Sequence, residues 1–320
     1  MKSQPQIEFF AADVMSGLSG EPKSLSSKYF YDDEGSRLFR QIMDLPEYYL
    51  TRAEFEIFST KTKEIFAAFT DSAKSFDLIE LGAGDGTKTA VLIDYFLGQK
   101  ADFTYAPIDI SQEAVDALTK KFKVKFPSLS INARTGDYFR ILETLKTASA
   151  KRKIILFLGS NIGNFSREQA IVFFQKLRAA MNENDLLFVG FDLQKDPRVI
   201  LEAYDDAQNI TAAFNLNLLA RINRELGADF DLDKFSHYAV YQPAECAARS
   251  FLISRERQSV RIEALNKTFE FRAWEAIFME ISQKYNLEMI EDLARKSGFQ
   301  TTQNFTDEKN YFADSLWKIS

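Results

Sequence analysis

The sequence predicts a doubly wound α/β domain interrupted by a second, α+β lobe, and three observations carry that prediction. From Ser75 onward, the compact apolar runs FDLIEL, FTYAPIDI, KIILFLG and DLLFVGFDL alternate with helical stretches. Strands buried on both faces read as continuous apolar runs, so this alternation describes a parallel sheet with crossover helices. The first run feeds directly into the loop Gly82, Ala83, Gly84, Asp85, Gly86, at the carboxyl edge where such sheets receive ligands. Between about residues 195 and 285 the alternation gives way to the helical AYDDAQNITAAFNLNLLARINREL and the strand-like FLISRERQSVRIEAL and FMEISQKY, which mark an insertion.

Taken in order, residues 1 to 50 read as short helices and turns. They close on DLPEYYLTRAE, where Thr51 and Glu54 fit a Ser/Thr-x-x-Glu capping box and predict a helix from about residue 52. The same signature recurs at Ser166 and Gln169 in NFSREQAIVFF, so a helix starts just after the Asn164 loop. After the insertion comes a helix NLEMIEDLARKSGF, stopped near Gly298, and a last strand around YFADSLWKI. No repeat or low-complexity linker interrupts the chain. The boundaries drawn from these changes of pattern are 54–194 plus 286–320 for the sheet domain and 1–53 plus 195–285 for the second lobe.

Composition narrows the partners. The 46 acidic residues outnumber the 40 basic ones, and no Lys/Arg block forms a stripe that could follow phosphates, so nucleic acid is not expected. The single Cys246 allows no internal disulfide, and the start MKSQPQIEFFAADV lacks the apolar stretch of a secretory leader. No window approaches the roughly 20 apolar residues of a spanning helix. A soluble, cytoplasmic monomer with no membrane partner is the expectation. The one histidine, His237, has no acidic or cysteine cluster at metal-ligand spacing, so it reads as structural and no metal is expected.

The glycine loop alone admits three nucleotide readings. A P-loop fails because Thr87 separates Gly86 from Lys88. A nicotinamide fingerprint is disfavoured because the third glycine arrives one position early. The remaining reading is a methyltransferase loop, in which Gly82 and Gly84 let the backbone approach the ligand and Asp109, ending the next strand, accepts from paired ribose hydroxyls. Asp137 and Tyr138 in ARTGDYF could meet an adenine, although position alone favours an ordinary solvated turn. Lys88 taken alone reads as a solvated first-turn lysine. Asn164 in GSNIGNF stands at the same edge as a turn former or as an amide for an amine and a carboxylate. In IFMEIS, Glu280 and Ser282 fall opposite Ile277, Met279 and Ile281 if the segment is a strand, facing either solvent or a small polar ring. Tyr31, Tyr48 and Tyr204 start as packing residues.

Four longer segments, KYFYDDEGSRLF, LPEYYLTRAE, FLGSNIGNF and AYDDAQNITAAFNLNLLARINRELGADFD, are far more distinctive. Through them the chain resembles, nearly end to end, the histidine-specific Nα-methyltransferases that begin ergothioneine biosynthesis. The resemblance implies a class I methyltransferase sheet, S-adenosylmethionine as cofactor and a free amino acid, histidine, as the small-molecule substrate. It implies that Gly82, Lys88, Asp109, Asp137 and Tyr138 contact the cofactor. It further implies that Tyr48, Asn164 and Tyr204 hold the amino and carboxylate ends of the amino acid, that Glu280 and Ser282 bond its imidazole, and that Tyr31 lies near the reacting amine. Tyr31 and Asn164 are thus the expected catalytic residues, and the second lobe is the expected substrate-binding domain. Two departures bear on substrate choice: Ser250 stands in CAARSFLIS where family members carry Met, and WEAI precedes Glu280 in an altered form. Another amino acid or small amine is therefore the alternative substrate, and a nicotinamide-dependent oxidoreductase the more distant alternative.

Overall fold

A computed structural model describes residues 4–71, 75–148 and 151–320; the first three residues of the start read above lie outside them. The chain divides into two compact units, 50–194 with 283–320, and 1–49 with 195–282. No described helix is long and apolar enough to cross a membrane.

The first unit is built on a sheet whose strands, in chain order, are β1 (Ser75–Leu81), β2 (Asp102–Asp109), β3 (Ser130–Ile131, with Arg134–Thr135 also pairing β2), β4 (Arg152–Phe157), β5 (Leu186–Asp192), β6 (Phe299–Thr306) and β7 (Phe312–Ile319). Their spatial order is β6-β7-β5-β4-β1-β2-β3. β1 to β5 pair in parallel, while β7 runs antiparallel to both β5 and β6. Side chains alternate across the sheet into two clusters: Phe76, Leu78, Ile154 and Leu156 pack on one face, Ile79, Leu81, Ile155 and Phe157 on the other. Because both faces are covered, the strands carry no polar alternation, which explains their continuous apolar runs. The order reverses between β1 and β4, so the loops after those strands flank the crevice where ligands enter.

In the second unit, strands Lys23–Ser24, Ala276–Gln283, Ala247–Ser254 and Phe235–Gln242 form a small sheet in that order. A separate hairpin pairs Gln258–Ile262 with Lys267–Phe271. Leu252, Ile277 and Met279 join Phe214, Leu218 and Ile222 of helix Ile210–Leu226, and Phe10 and Val14 of helix Gln4–Ser19, in one buried cluster. Asp32 caps helix Asp33–Asp44 through the Gly35 amide at 2.8 Å and accepts from Asn217 at 2.8 Å, tying that helix to Ile210–Leu226.

Four local expectations need correction. Helix Tyr49–Thr60 begins before Thr51, so Thr51 and Glu54 do not form its capping box. The N-terminal segment holds a 16-residue helix rather than only short ones. The long AYDDAQNI helix starts only at Ile210, where Asp206 takes the amides of Ile210 at 2.8 Å and Thr211 at 2.7 Å and thereby ends the preceding turn. Finally, β6 was not foreseen, because its sequence FQTTQNFT is mostly polar at the sheet's edge.

Candidate active site

The glycine loop after β1 is held in left-handed backbone, with φ of +70° at Gly82, +54° at Gly84 and +66° at Gly86. These are angles that side chains oppose. Gly86 also leaves room for helix Gln112–Lys125, since a Cβ there would meet Leu118 at 2.5 Å and Phe122 at 2.6 Å. Gly82 faces the ligand edge: a Cβ would lie 3.1 Å from the Tyr138 hydroxyl and 3.9 Å from Asn161 Nδ2. Around Gly84 there is open space. The loop therefore offers a cradle in which backbone, not side chain, would meet a ligand.

Asp109, Asp137 and Tyr138 gather at the same edge. Asp109 closes β2 and accepts the Ser111 amide at 3.0 Å, and burial pushes its carboxyl up from the ordinary value. Burial first, then the facing Asp109 and Asp137 carboxylates, push the Tyr138 hydroxyl up to about 12, so it remains a donor. Asp137 also accepts the Arg140 amide at 3.1 Å, the local turn role that its type favours. Beside Asp109, Ile110 is 77% exposed. An apolar side chain left in water next to a ribose-competent carboxylate suits the flat face of a base. Gly82, Gly84, Asp109, Tyr138 and Ile110 all lie in or beside the loops at the carboxyl ends of β1, β2 and β3.

The loop after β4 carries Gly159 at φ +73° and Ser160 at φ +55°, with the Ser160 hydroxyl accepting the Asp192 amide at 3.0 Å. Asn164 ends the short helix Asn161–Asn164 and is exposed. A second amide, that of Asn161, faces the glycine loop, and no sequence signal set it apart. Lys88 starts helix Thr89–Gly98, and its ammonium pairs with the buried Glu54. The solvated reading of Lys88 is thereby excluded. Glu54 was missed because its partner lies 34 positions away.

The second unit gathers the other predicted residues. Tyr204 donates to the Ser282 hydroxyl at 2.7 Å, and the Tyr204 carbonyl lies 2.9 Å from His237 Nε2, so the lone histidine holds the backbone of a site residue. Tyr31 is 47% exposed as a residue. Loss of water around its hydroxyl, then Glu280 and Tyr204, push its ionisation well above the ordinary phenol value. Tyr31, Tyr204, Glu280 and Ser282 are thus one group. In their strand Ile277 and Met279 enter the core as the alternation predicts, but Ser282 is buried and Ile281 only partly so, which breaks the simple two-face pattern. Ser250 is buried on the neighbouring strand. Rings line the approach: Tyr31 lies 5.4 Å from Phe39 and 5.7 Å from Phe214, and Phe39 lies 6.2 Å from Tyr48. Phe39 and Phe214 carried no sequence signal that set them apart from the 30 phenylalanines.

The sheet order with its antiparallel β7 and the glycine loop after β1 are those of a class I, S-adenosylmethionine-dependent methyltransferase. The family model for histidine-specific, S-adenosylmethionine-dependent methyltransferases matches residues 10–319, and the chain belongs to that family. The chain is 38% identical to the histidine N-alpha-methyltransferase of Mycolicibacterium smegmatis over 97% of its own length and 94% of that protein's. It is 38% identical to the histidine N-alpha-methyltransferase of Mycobacterium tuberculosis over 95% and 93%. Ergothioneine biosynthesis protein 1 of Schizosaccharomyces pombe is 26% identical over 88% of this chain and 37% of that protein. Family membership removes the nicotinamide oxidoreductase alternative.

Proposed function

We propose that this methyltransferase acts on the α-amino group of free L-histidine and carries it to trimethylhistidine. The observation that carries the reading is the Tyr31, Tyr204, Glu280 and Ser282 group in one unit of a chain that is 38% identical to two proteins named histidine N-alpha-methyltransferase. S-adenosylmethionine, when bound, supplies an electrophilic methyl on a sulfonium. Asp109 takes the ribose, Asp137, Tyr138 and Ile110 the adenine, and the backbone at Gly82 and Gly84 allows close approach; Lys88 offers its charge to the carboxylate of the methionine portion. Glu280 accepts an imidazole N–H, and Tyr204 directs the Ser282 hydroxyl toward the second ring nitrogen. Tyr48 and Tyr204 hold the amino and carboxylate ends.

The amine must present a neutral lone pair. An α-amino group titrates near about 8, and withdrawal of water favours its neutral form further, so no strong base is required. Tyr31 keeps its proton, so its oxygen orients the amine by accepting an N–H rather than acting as a phenolate base. Each methylated ammonium loses its proton to water before the next transfer, and after the third the product carries a fixed positive charge, which the rings of Tyr31, Phe39 and Phe214 stabilise by roughly 0.5 to 2 kcal/mol. Ser250, smaller than the Met of relatives, leaves the pocket wall as the feature that sets substrate choice. A cytoplasmic location belongs to the same reading, supported by the lone Cys246, and a monomer is the state proposed with it.

Calorimetry in saturating S-adenosylhomocysteine tests it. L-histidine is expected to bind at least about tenfold tighter than any other amino acid, with Glu280→Ala weakening histidine about tenfold or more and leaving the cofactor unchanged. Tighter binding of another amino acid would move the substrate assignment, and equal loss of both ligands would remove Glu280 from the imidazole.

A further inference from the structure

Glu54 lies on helix Tyr49–Thr60 and is fully buried, yet the reading of the site above does not use it. One carboxylate oxygen takes the Lys88 ammonium and the other takes the Gly159 amide at 2.7 Å. Those partners come from the two loops that flank the crevice: Lys88 follows the glycine loop of β1, and Gly159 begins the turn after β4. A Cβ on Gly159 would stand 3.5 Å from Lys88 Nζ, so both glycine loops close around the same ammonium. The sheet is hollowed to admit the acid. Gly190 on β5 has no side chain where a Cβ would meet Glu54 Oε1 at 2.5 Å, and its partner across the ladder is the buried Asp314 of β7.

A buried carboxylate holds a partly buried ammonium tightly, because separating them leaves the acid's charge away from water. Burial works to lower the Lys88 pKa, but Glu54, then Asp314 and Glu80, raise it, so the ammonium persists. Burial, then Glu54, push the Asp314 carboxyl well above its ordinary value against the pull of Lys88. The carboxylate that the Lys88 ammonium touches is that of Glu54.

We propose that Glu54 is a positioning residue of the cofactor site, setting the Lys88 ammonium and the Gly159 backbone in a single arrangement that receives the carboxylate of S-adenosylmethionine. The proposal rests on the reading of Lys88 as a cofactor residue. Glu54→Gln keeps the shape and an acceptor for Gly159 while removing the charge that aims Lys88.

The test is a double-mutant cycle on the full chain, with S-adenosylhomocysteine affinity by calorimetry and steady-state kinetics for Glu54→Gln, Lys88→Met and the pair. Glu54→Gln is expected to weaken cofactor binding about tenfold and raise KM for the cofactor, with kcat at saturation and L-histidine affinity within about threefold. The pair is expected to bind the cofactor no worse than Lys88→Met alone. Wild-type cofactor affinity in Glu54→Gln beside weakened Lys88→Met overturns the positioning role and leaves the Lys88 reading standing. Wild-type affinity in Lys88→Met overturns that reading itself, and the proposal with it. Should Glu54→Gln not fold, Gly190→Ala displaces the carboxylate without removing its charge. An unchanged cofactor affinity there overturns the proposal, and a loss of about tenfold supports it.

Discussion

Glu80 sits two residues before Gly82, with its carboxylate accepting from the Thr89 hydroxyl at 2.7 Å and the Tyr105 hydroxyl at 2.5 Å. Burial outweighs both bonds and pushes its pKa up to about 7, from an ordinary 4.5. An acid whose folded pKa is raised gives stability that is complete below the unfolded pKa and falls as pH rises through the folded one, by up to about 1.4 kcal/mol per pH unit. Denaturant unfolding should therefore show Glu80→Gln gaining on the wild type between pH 5 and pH 8. A difference that stays constant over that window would mean that Glu80 is ionised throughout. At this scale, what the sequence discloses depends on how locally a residue acts. Asp109 and Tyr138 could be placed at the sheet's ligand edge because strand ends and loops put them there. Glu54 invited a capping reading because its true partners, Lys88 and Gly159, are distant in the chain. Phe39, Phe214, Asn161 and Ile110 gain their meaning only from what surrounds them.

Helix Arg167–Ala179 follows the Asn164 turn, and its start was legible. The Ser166 side chain accepts the Gln169 amide, and the Gln169 side chain accepts the Ser166 amide at 2.9 Å. Both signals are local, so the pattern predicts the geometry. Ser166→Ala should cost about 1 kcal/mol and lower the melting temperature by roughly 2 to 4 °C. An unchanged melting temperature would mean that tertiary packing alone fixes the helix start. The same signature failed at Thr51 because the turn before it, held by the Leu45 carbonyl accepting from the Tyr48 amide at 3.2 Å, lets the helix begin earlier. Strand β6 failed for a different reason. It bonds only β7, and its burial alternates irregularly around a register shift between Thr301 and Gln303, so neither apolar content nor period marked it.

For the molecule as a whole, the central strands announce themselves because they are buried on both faces, and the insertion announces itself by breaking their rhythm. The chemistry is less local. Each unit brings its residues together from distant segments, such as Tyr204 and Ser282, 78 positions apart. Only the resemblance of whole segments pointed to them. The central claim is a reaction. Purified protein incubated with S-adenosylmethionine and an equimolar panel of amino acids, followed by mass spectrometry, reads it directly. The account predicts that L-histidine alone gains mass in one, two and three methyl increments. Methylation of a different amino acid, with histidine unchanged, would contradict it.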